Sequence, residues 1–280
     1  MTKRINMAVA IQGELGAFSY SAAKKFVGNS ARILSCETFK SVFEALESGD
    51  ASAAVIPIEN TLHGSVHENY DHLIDYGPRI AGETSLRICH NLIIFGQTKF
   101  SEVRYAYSHP VALNQCREFF RKNDRVQPIS YYDTAGSVKM LREKRLDNSA
   151  AIASAAAAEL YGGRILRRNI EDNRQNFTRF FLLTKQQRVL KDKRRPWKTS
   201  VAFSLANAPG ALFKAMACFA LRDLSLTKIE SRPLRDRPWE YLFYLDLLGS
   251  PEDPKVESAL SNLQEMTLFF KILGSYQPTP

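Results

Sequence analysis

Five polar clusters stand where short apolar runs end: Gln12-Gly13-Glu14, Glu59-Asn60-Thr61, Ser108-His109, Asp133-Thr134 and Asn176-Phe177-Thr178-Arg179. They are mostly amides, hydroxyls and single charges. Such groups hold and orient a ligand by hydrogen bonds rather than attack it. The sequence shows no nucleophile elbow, no paired carboxylate dyad and no His-Glu metal cluster. His63 and His67 are four apart at the start of an expected helix, a spacing that can hold a metal. No third ligand stands out, so they read as surface histidines and no metal is expected. In the second half, Asn207, Gly210, Ala211 and Leu212 read as a strand–turn–helix whose backbone N–H groups are free to hold a carboxylate. Pro209 helps fix that turn, and Glu230-Ser231-Arg232 falls on a neighbouring strand.

The elements that must carry these clusters follow from hydrophobic period and turn residues. MAVAI (7–11) reads as a strand that enters a Gly-rich turn and then a helix. Phe39, Val42, Phe43 and Leu46 mark one helix face, closed by Gly49. Strands are expected at 53–58, 88–96, 103–109 and 178–185. A helix is expected over 111–123, beginning just after Pro110. Asp133 or Thr134 can cap the next helix. An Ala-rich helix then ends at Gly162 and Gly163. This alternation gives an α/β class with largely parallel sheets, whose ligands bind beyond the carboxyl ends of the strands. After residue 198 the order becomes β-α-β-β-α-β over about 80 residues, a ferredoxin-like unit. Leu212, Met216 and Phe219 mark the inner face of its first helix.

Composition sets the outer limits. The chain has 280 residues, 45% of them hydrophobic and 24% charged, which excludes disorder. No run of 18 uncharged apolar residues exists, so no membrane partner is expected. The first residues lack an apolar core and a cleavage site, so no signal peptide is read. Cys36, Cys89, Cys116 and Cys218 are scattered, which fits reduced thiols and a cytoplasmic location. The formal charge is +9, and residues 185–198 hold seven Lys or Arg against Asp192 alone. That stretch reads as a solvated linker at 186–197 between a domain at 1–185 and one at 198–280. Only Trp197 interleaves the charges, so a nucleic-acid partner is not expected. The remaining positive potential suits the steering of a small acidic substrate.

Several segments together resemble one family. GELGAFSYSAA (13–23), PIENTLHGSVHENYDHL (57–73), SHPVALNQC (108–116), AIASAAAAELYG (151–162) and NFTRFFLL (176–183) look like the successive motifs of prephenate dehydratases. NAPGALFKAM (207–216) and KIESRP (228–233) resemble the ACT regulatory domain that follows in that family. The resemblance implies a periplasmic-binding-protein-like catalytic domain, two α/β subdomains around a cleft, followed by the ACT domain. It implies conversion of prephenate to phenylpyruvate with loss of water and carbon dioxide, and no cofactor. By motif, Thr178 matches the essential threonine, while Asn60, Ser108 and Gln115 match the substrate-contacting polar residues. Glu59 and Arg179 are flanking candidates. Asn207, Gly210, Ala211 and Leu212 with Glu230, Ser231 and Arg232 match the segments that bind phenylalanine where two ACT domains pair, in a homodimer or homotetramer. Some positions depart from the usual pattern: Gln12-Gly13, Thr61, and Thr134-Ala135-Gly136-Ser137-Val138. The last segment also looks like arogenate dehydratases, whose substrate carries an amino group in place of the keto group.

Overall fold

The computed structural model describes residues 8–186, 196–234 and 240–279, so nearly all of the basic segment lies outside the described residues. The chain divides into two compact units, Met1–Tyr76 with Thr84–Leu182, and Gly77–Glu83 with Leu183–Pro280.

The first unit opens with β1 (Ala8–Gln12), α1 (Phe18–Val27), β2 (Arg32–Cys36), α2 (Phe39–Ser48), β3 (Ala53–Asn60), β4 (Gly64–Ser65) and α3 (His67–Asp75). The strand β5 (Arg79–Arg87) follows, and the unit boundary falls inside it. Next come β6 (Asn91–Ile94), β7 (Tyr105–Ser108), α4 (Pro110–Asn114), α5 (Arg117–Lys122), β8 (Gln127–Ser130), α6 (Thr134–Lys144), β9 (Ser149–Ala153), α7 (Ala155–Tyr161), β10 (Arg164–Arg167) and β11 (Phe177–Thr184). Two sheets result. One has the order β5-β11-β3-β1-β2 with β4 on β3, the other β10-β6-β9-β7-β8. The two-subdomain expectation is met. The parallel expectation holds for β1 with β2 and β3, and for β7 with β8 and β9. It fails for β6, which is antiparallel to both β9 and β10. The chain enters the second sheet from the first, so β6 arrives without the crossover helix that makes neighbours parallel.

Local sequence explains most of the helices. Val42, Phe43 and Leu46 are buried as their spacing requires, and each such side chain contributes about 1.5–3 kcal/mol on burial. Thr38 and Ser41 cap that helix reciprocally. Asp133, not Thr134, caps α6 by accepting from the Gly136 N–H. The helix expected over 111–123 is broken at Gln115 and Cys116. The Asp172 carboxylate supplies the reason. It accepts from the Arg117 and Glu118 N–H groups and starts α5 afresh, while the Asp172 N–H donates to the Gln115 carbonyl. β2, β5, β8 and β10 were not expected, because their outer faces are too polar for a continuous apolar run.

The second unit holds β12 (Lys198–Ser204), α8 (Ala211–Ala220), β13 (Leu226–Pro233), β14 (Tyr241–Leu248), α9 (Pro254–Glu265), β15 (Phe269–Tyr276) and β16 (Pro278–Thr279). Its four-stranded sheet runs β13-β14-β12-β15, all antiparallel, as the β-α-β-β-α-β order requires. Val201, Phe203, Leu245 and Leu247 pack on Phe219, Val256, Leu260 and Leu263. Residues Gly77–Glu83 belong here: Arg79 donates to the Ile272 carbonyl at 2.6 Å and Glu83 pairs with Lys198. One expectation is corrected. Leu212 does not share the core face of α8; it is exposed, and Phe213 is 77% exposed. Phe219 is buried and Met216 packs on the same core as expected, and Ala215 and Cys218 complete that face, because α8 begins at Ala211 and its phase follows the sheet beneath it.

Candidate active site

The end of β3 and the start of β11 lie side by side. The Asn60 side-chain amide donates to Thr178 Oγ1 at 2.9 Å, to Asn176 Oδ1 at 2.7 Å and to the Phe177 carbonyl at 3.2 Å. Asn60 Oδ1 accepts from the Leu62 and His63 N–H groups. Thr61 completes the clasp, donating to the Gln175 carbonyl and accepting from the Phe177 N–H. Thr178 is 9% exposed, and among the described residues its hydroxyl hydrogen meets no acceptor. Since Asn60 already donates to the threonine oxygen, the O–H is left to point at a ligand. Buried Asn176 Nδ2 is likewise a donor without a partner among the described residues. A buried unpaired donor is costly, and such costs are tolerated where a ligand completes the bonding.

The second sheet contributes Gln115, at the break between α4 and α5. Its carboxamide lies 2.7 Å from His90 Nε2 and 2.8 Å from His63 Nε2. Through His63, whose N–H meets Asn60, the two sheets share one hydrogen-bond chain from Thr178 to His90. His90 is buried, its ring edge-on to Phe18, and burial pushes its pKa below the usual histidine value. The His90 backbone N–H donates to Glu171, which also takes the Arg87 guanidinium at 2.7 Å. Arg87 further donates to the Arg174 carbonyl, and Ile88 N–H to the Asn176 carbonyl. The two strands of chain that cross between the sheets are thus bonded to each other beside the site.

Other expected residues fall elsewhere. Ser108 ends β7, fully buried, with its hydroxyl on the Ile152 carbonyl at 2.5 Å. It stands outside the Thr178 chain and anchors β7 to β9. Glu59 and Arg179 form an ion pair at 3.7 Å, with Arg179 over the Phe181 ring. Each is one residue from Asn60 or Thr178, so the pair adjoins the Asn60–Thr178 contact along the chain. His63 is more than a surface residue, since its ring meets the Gln115 carboxamide. Among the described residues no cluster of three or more His, Cys, Asp or Glu is placed to hold a metal.

A hollow of about 610 Å³ lies over the carboxyl ends of β1 and β2, bounded by Gln12–Glu14, Ser35–Thr38, Tyr132 and Asp133. Gly13 (φ +94°) is required there, since a Cβ would stand 2.9 Å from Asp133 Oδ2. Tyr132 and Lys139 both donate to Glu14. Burial raises the Asp133 carboxyl pKa, while the Gly136 and Ala135 N–H groups pull it down and Glu14 adds to the rise.

In the second unit, Gly210 (φ +76°) caps α8, and the Leu212 and Phe213 N–H groups have no acceptor among the described residues. Asn207 is exposed in the same turn. On β13, Glu230 pairs with Lys228 at 2.8 Å. Strand alternation puts Glu230 and Arg232 on one face and Ser231 on the other, so the triplet does not act as one surface.

A family profile described as prephenate dehydratase matches residues 9–188, well over half of the chain. The chain belongs to the prephenate dehydratase family. An Arabidopsis thaliana protein named arogenate dehydratase/prephenate dehydratase 2, chloroplastic, is 42% identical over 277 residues, covering 96% of this chain and 72% of that one. A solved prephenate dehydratase from Arthrobacter aurescens, in complex with L-Phe, superposes with a TM-score of 0.87 at 28% identity, over 97% of this chain and 90% of that one. Another solved chain, described as a novel type of quorum quenching acylase, gives a TM-score of 0.89 at 34% identity, over 98% of both chains. As a member of the prephenate dehydratase family the protein is an enzyme, a lyase of aromatic amino-acid biosynthesis.

Proposed function

We propose that the chain converts prephenate to phenylpyruvate, with Thr178 acting on the leaving hydroxyl. In this reaction the bond from the ring to its carboxylate breaks, its electrons aromatise the ring, and carbon dioxide departs. The ring C–O bond breaks in the opposite sense, and the departing hydroxide takes up a proton to leave as water. The site must therefore stabilise negative charge on one oxygen. A free threonine hydroxyl is too weak an acid for efficient general catalysis near neutral pH. As an oriented hydrogen-bond donor it stabilises the charge that develops on the leaving oxygen. The single observation behind this reading is the Asn60 bond to Thr178 Oγ1, which fixes the oxygen and leaves its hydrogen unspent. Asn176 and Gln115 are further donors for the substrate's carboxylates. The test is Thr178→Ala assayed for phenylpyruvate formation: turnover falls about a hundred- to a thousandfold while the fold persists. Near-normal turnover overturns the reading.

Arogenate is the second substrate to compare. The hollow beside β1 and β2 is bounded by Glu14, Glu37 and Asp133, and carboxylates suit an ammonium group better than a keto group. Turnover on the two substrates side by side decides between them. Acyl-amide hydrolysis is the weaker alternative, since a nucleophilic hydroxyl needs a base beside it, whereas Thr178 Oγ1 has an amide donor.

We also propose that phenylalanine binds the second unit and inhibits. The support is the free N–H pair at the start of α8 and the L-Phe complex of the Arthrobacter relative. Exposed Phe213, Leu221 and Leu268 support a homodimer or homotetramer formed through this unit.

A further inference from the structure

Two imidazoles hold the Gln115 carboxamide from opposite ends. Its Oε1 meets His90 Nε2 and its Nε2 meets His63 Nε2. A carboxamide has one accepting end and one donating end. Whichever way it is turned, one of these ring nitrogens must donate and the other must accept. His90 is 2% exposed, and burial favours its neutral form. His63 is exposed.

With both rings neutral, His90 donates from Nε2 to the amide oxygen. Its buried Nδ1, which has no partner among the described residues, is then a bare lone pair. Protonated His63 carries a hydrogen on Nε2 and can no longer accept. It needs the amide oxygen, so the carboxamide must turn over. His90 must then accept at Nε2, and its hydrogen moves to Nδ1 as a buried N–H without an acceptor. Orphaned buried N–H groups are rarer in proteins than orphaned acceptors, which marks the turned state as the dearer one.

We propose that His63 is a positioning residue for the dehydration: its protonation, relayed by the His90 tautomer, sets the orientation of the Gln115 carboxamide and so its hold on the substrate. The inference rests on the reading of Gln115 as a substrate contact. His63 is bonded through its backbone N–H to Asn60 Oδ1 on its own loop and through its ring to the neutral Gln115 carboxamide at the end of α4. Beyond Gln115 stand His90, then Glu171 with Arg87, while Asp172 caps α5. The ring of His63 makes no ion pair among the described residues.

The test measures kcat/KM for prephenate across the range in which histidine titrates, about pH 5 to 8. The wild type should show an acidic limb in kcat/KM, and His63→Gln should lack that limb. At the alkaline end His63→Ala should lose about threefold to tenfold in kcat/KM, the size of one neutral hydrogen bond. A second readout needs no turnover: the 15N shifts of the His90 ring. They should exchange Nδ1 and Nε2 character across the same pH range in the wild type and stay fixed in His63→Gln. An unchanged limb in His63→Gln, or a His90 tautomer that ignores pH in the wild type, overturns the proposal. A wild type that turns over neither prephenate nor arogenate overturns the substrate reading instead, and the nitrogen shifts alone then decide this one.

Discussion

Thr178 and Asn60 divide one task between them: the amide anchors the oxygen and the hydroxyl keeps its hydrogen for the ligand. Thr178→Ser keeps that hydroxyl, so it should retain far more turnover than Thr178→Ala in the same steady-state assay. His90 carries a pH signature of its own. Its folded pKa lies below the unfolded value of about 6.5, so the unfolded chain binds more protons as the pH falls. Stability is therefore full above about pH 6.5 and declines below it, and thermal melts of His90→Asn should show a flatter acid side. Asp133 has the opposite sign. Its folded pKa is raised, so folding favours the protonated carboxyl and stability falls as pH rises above the unfolded value of about 3.9. Asparagine caps a helix about as well as aspartate, so Asp133→Asn should melt at or above the wild-type temperature at neutral pH and lose that advantage near pH 3.

The break between α4 and α5 is the element on which the site turns. A continuous helix over 111–123 would keep the Gln115 N–H and carbonyl within one ladder. The Asp172 carboxylate instead caps α5, and the Asp172 N–H takes the Gln115 carbonyl. Asp172→Ala should cost about 1 kcal/mol of stability and raise KM more than it lowers kcat. Denaturant melts and steady-state kinetics on one preparation check both parts. The crossing segments follow a similar logic. Glu171 holds Arg87 and the His90 N–H together, so removing its charge should loosen the site without emptying it of catalytic groups.

At the scale of the molecule, the two units call for different measurements. A ligand that binds only the folded state stabilises it by about 2.7 kcal/mol at a hundred times its Kd. Phenylalanine should therefore raise the melting temperature and depress turnover together. Gly210→Val strains a left-handed residue at the start of α8 and should weaken both responses to phenylalanine while sparing the uninhibited rate. Light scattering with and without the amino acid measures the assembly state.

Much was legible in the sequence because it is encoded locally. The burial of Val42, Phe43 and Leu46, the Asp133 cap and the β-α-β-β-α-β order all follow from period and capping within a few residues. The motif around Thr178 was legible for the same reason. The tertiary structure alone decided the rest. It joined Asn60 to Thr178 across 118 positions of chain and His63 to Gln115 across 52. It also sent the Ser108 hydroxyl to the Ile152 carbonyl and paired Glu59 with Arg179. Periodicity states which face a residue takes within its own element. Which distant groups share that face depends on strand order and on where the chain crosses between sheets, and neither is written in any one segment.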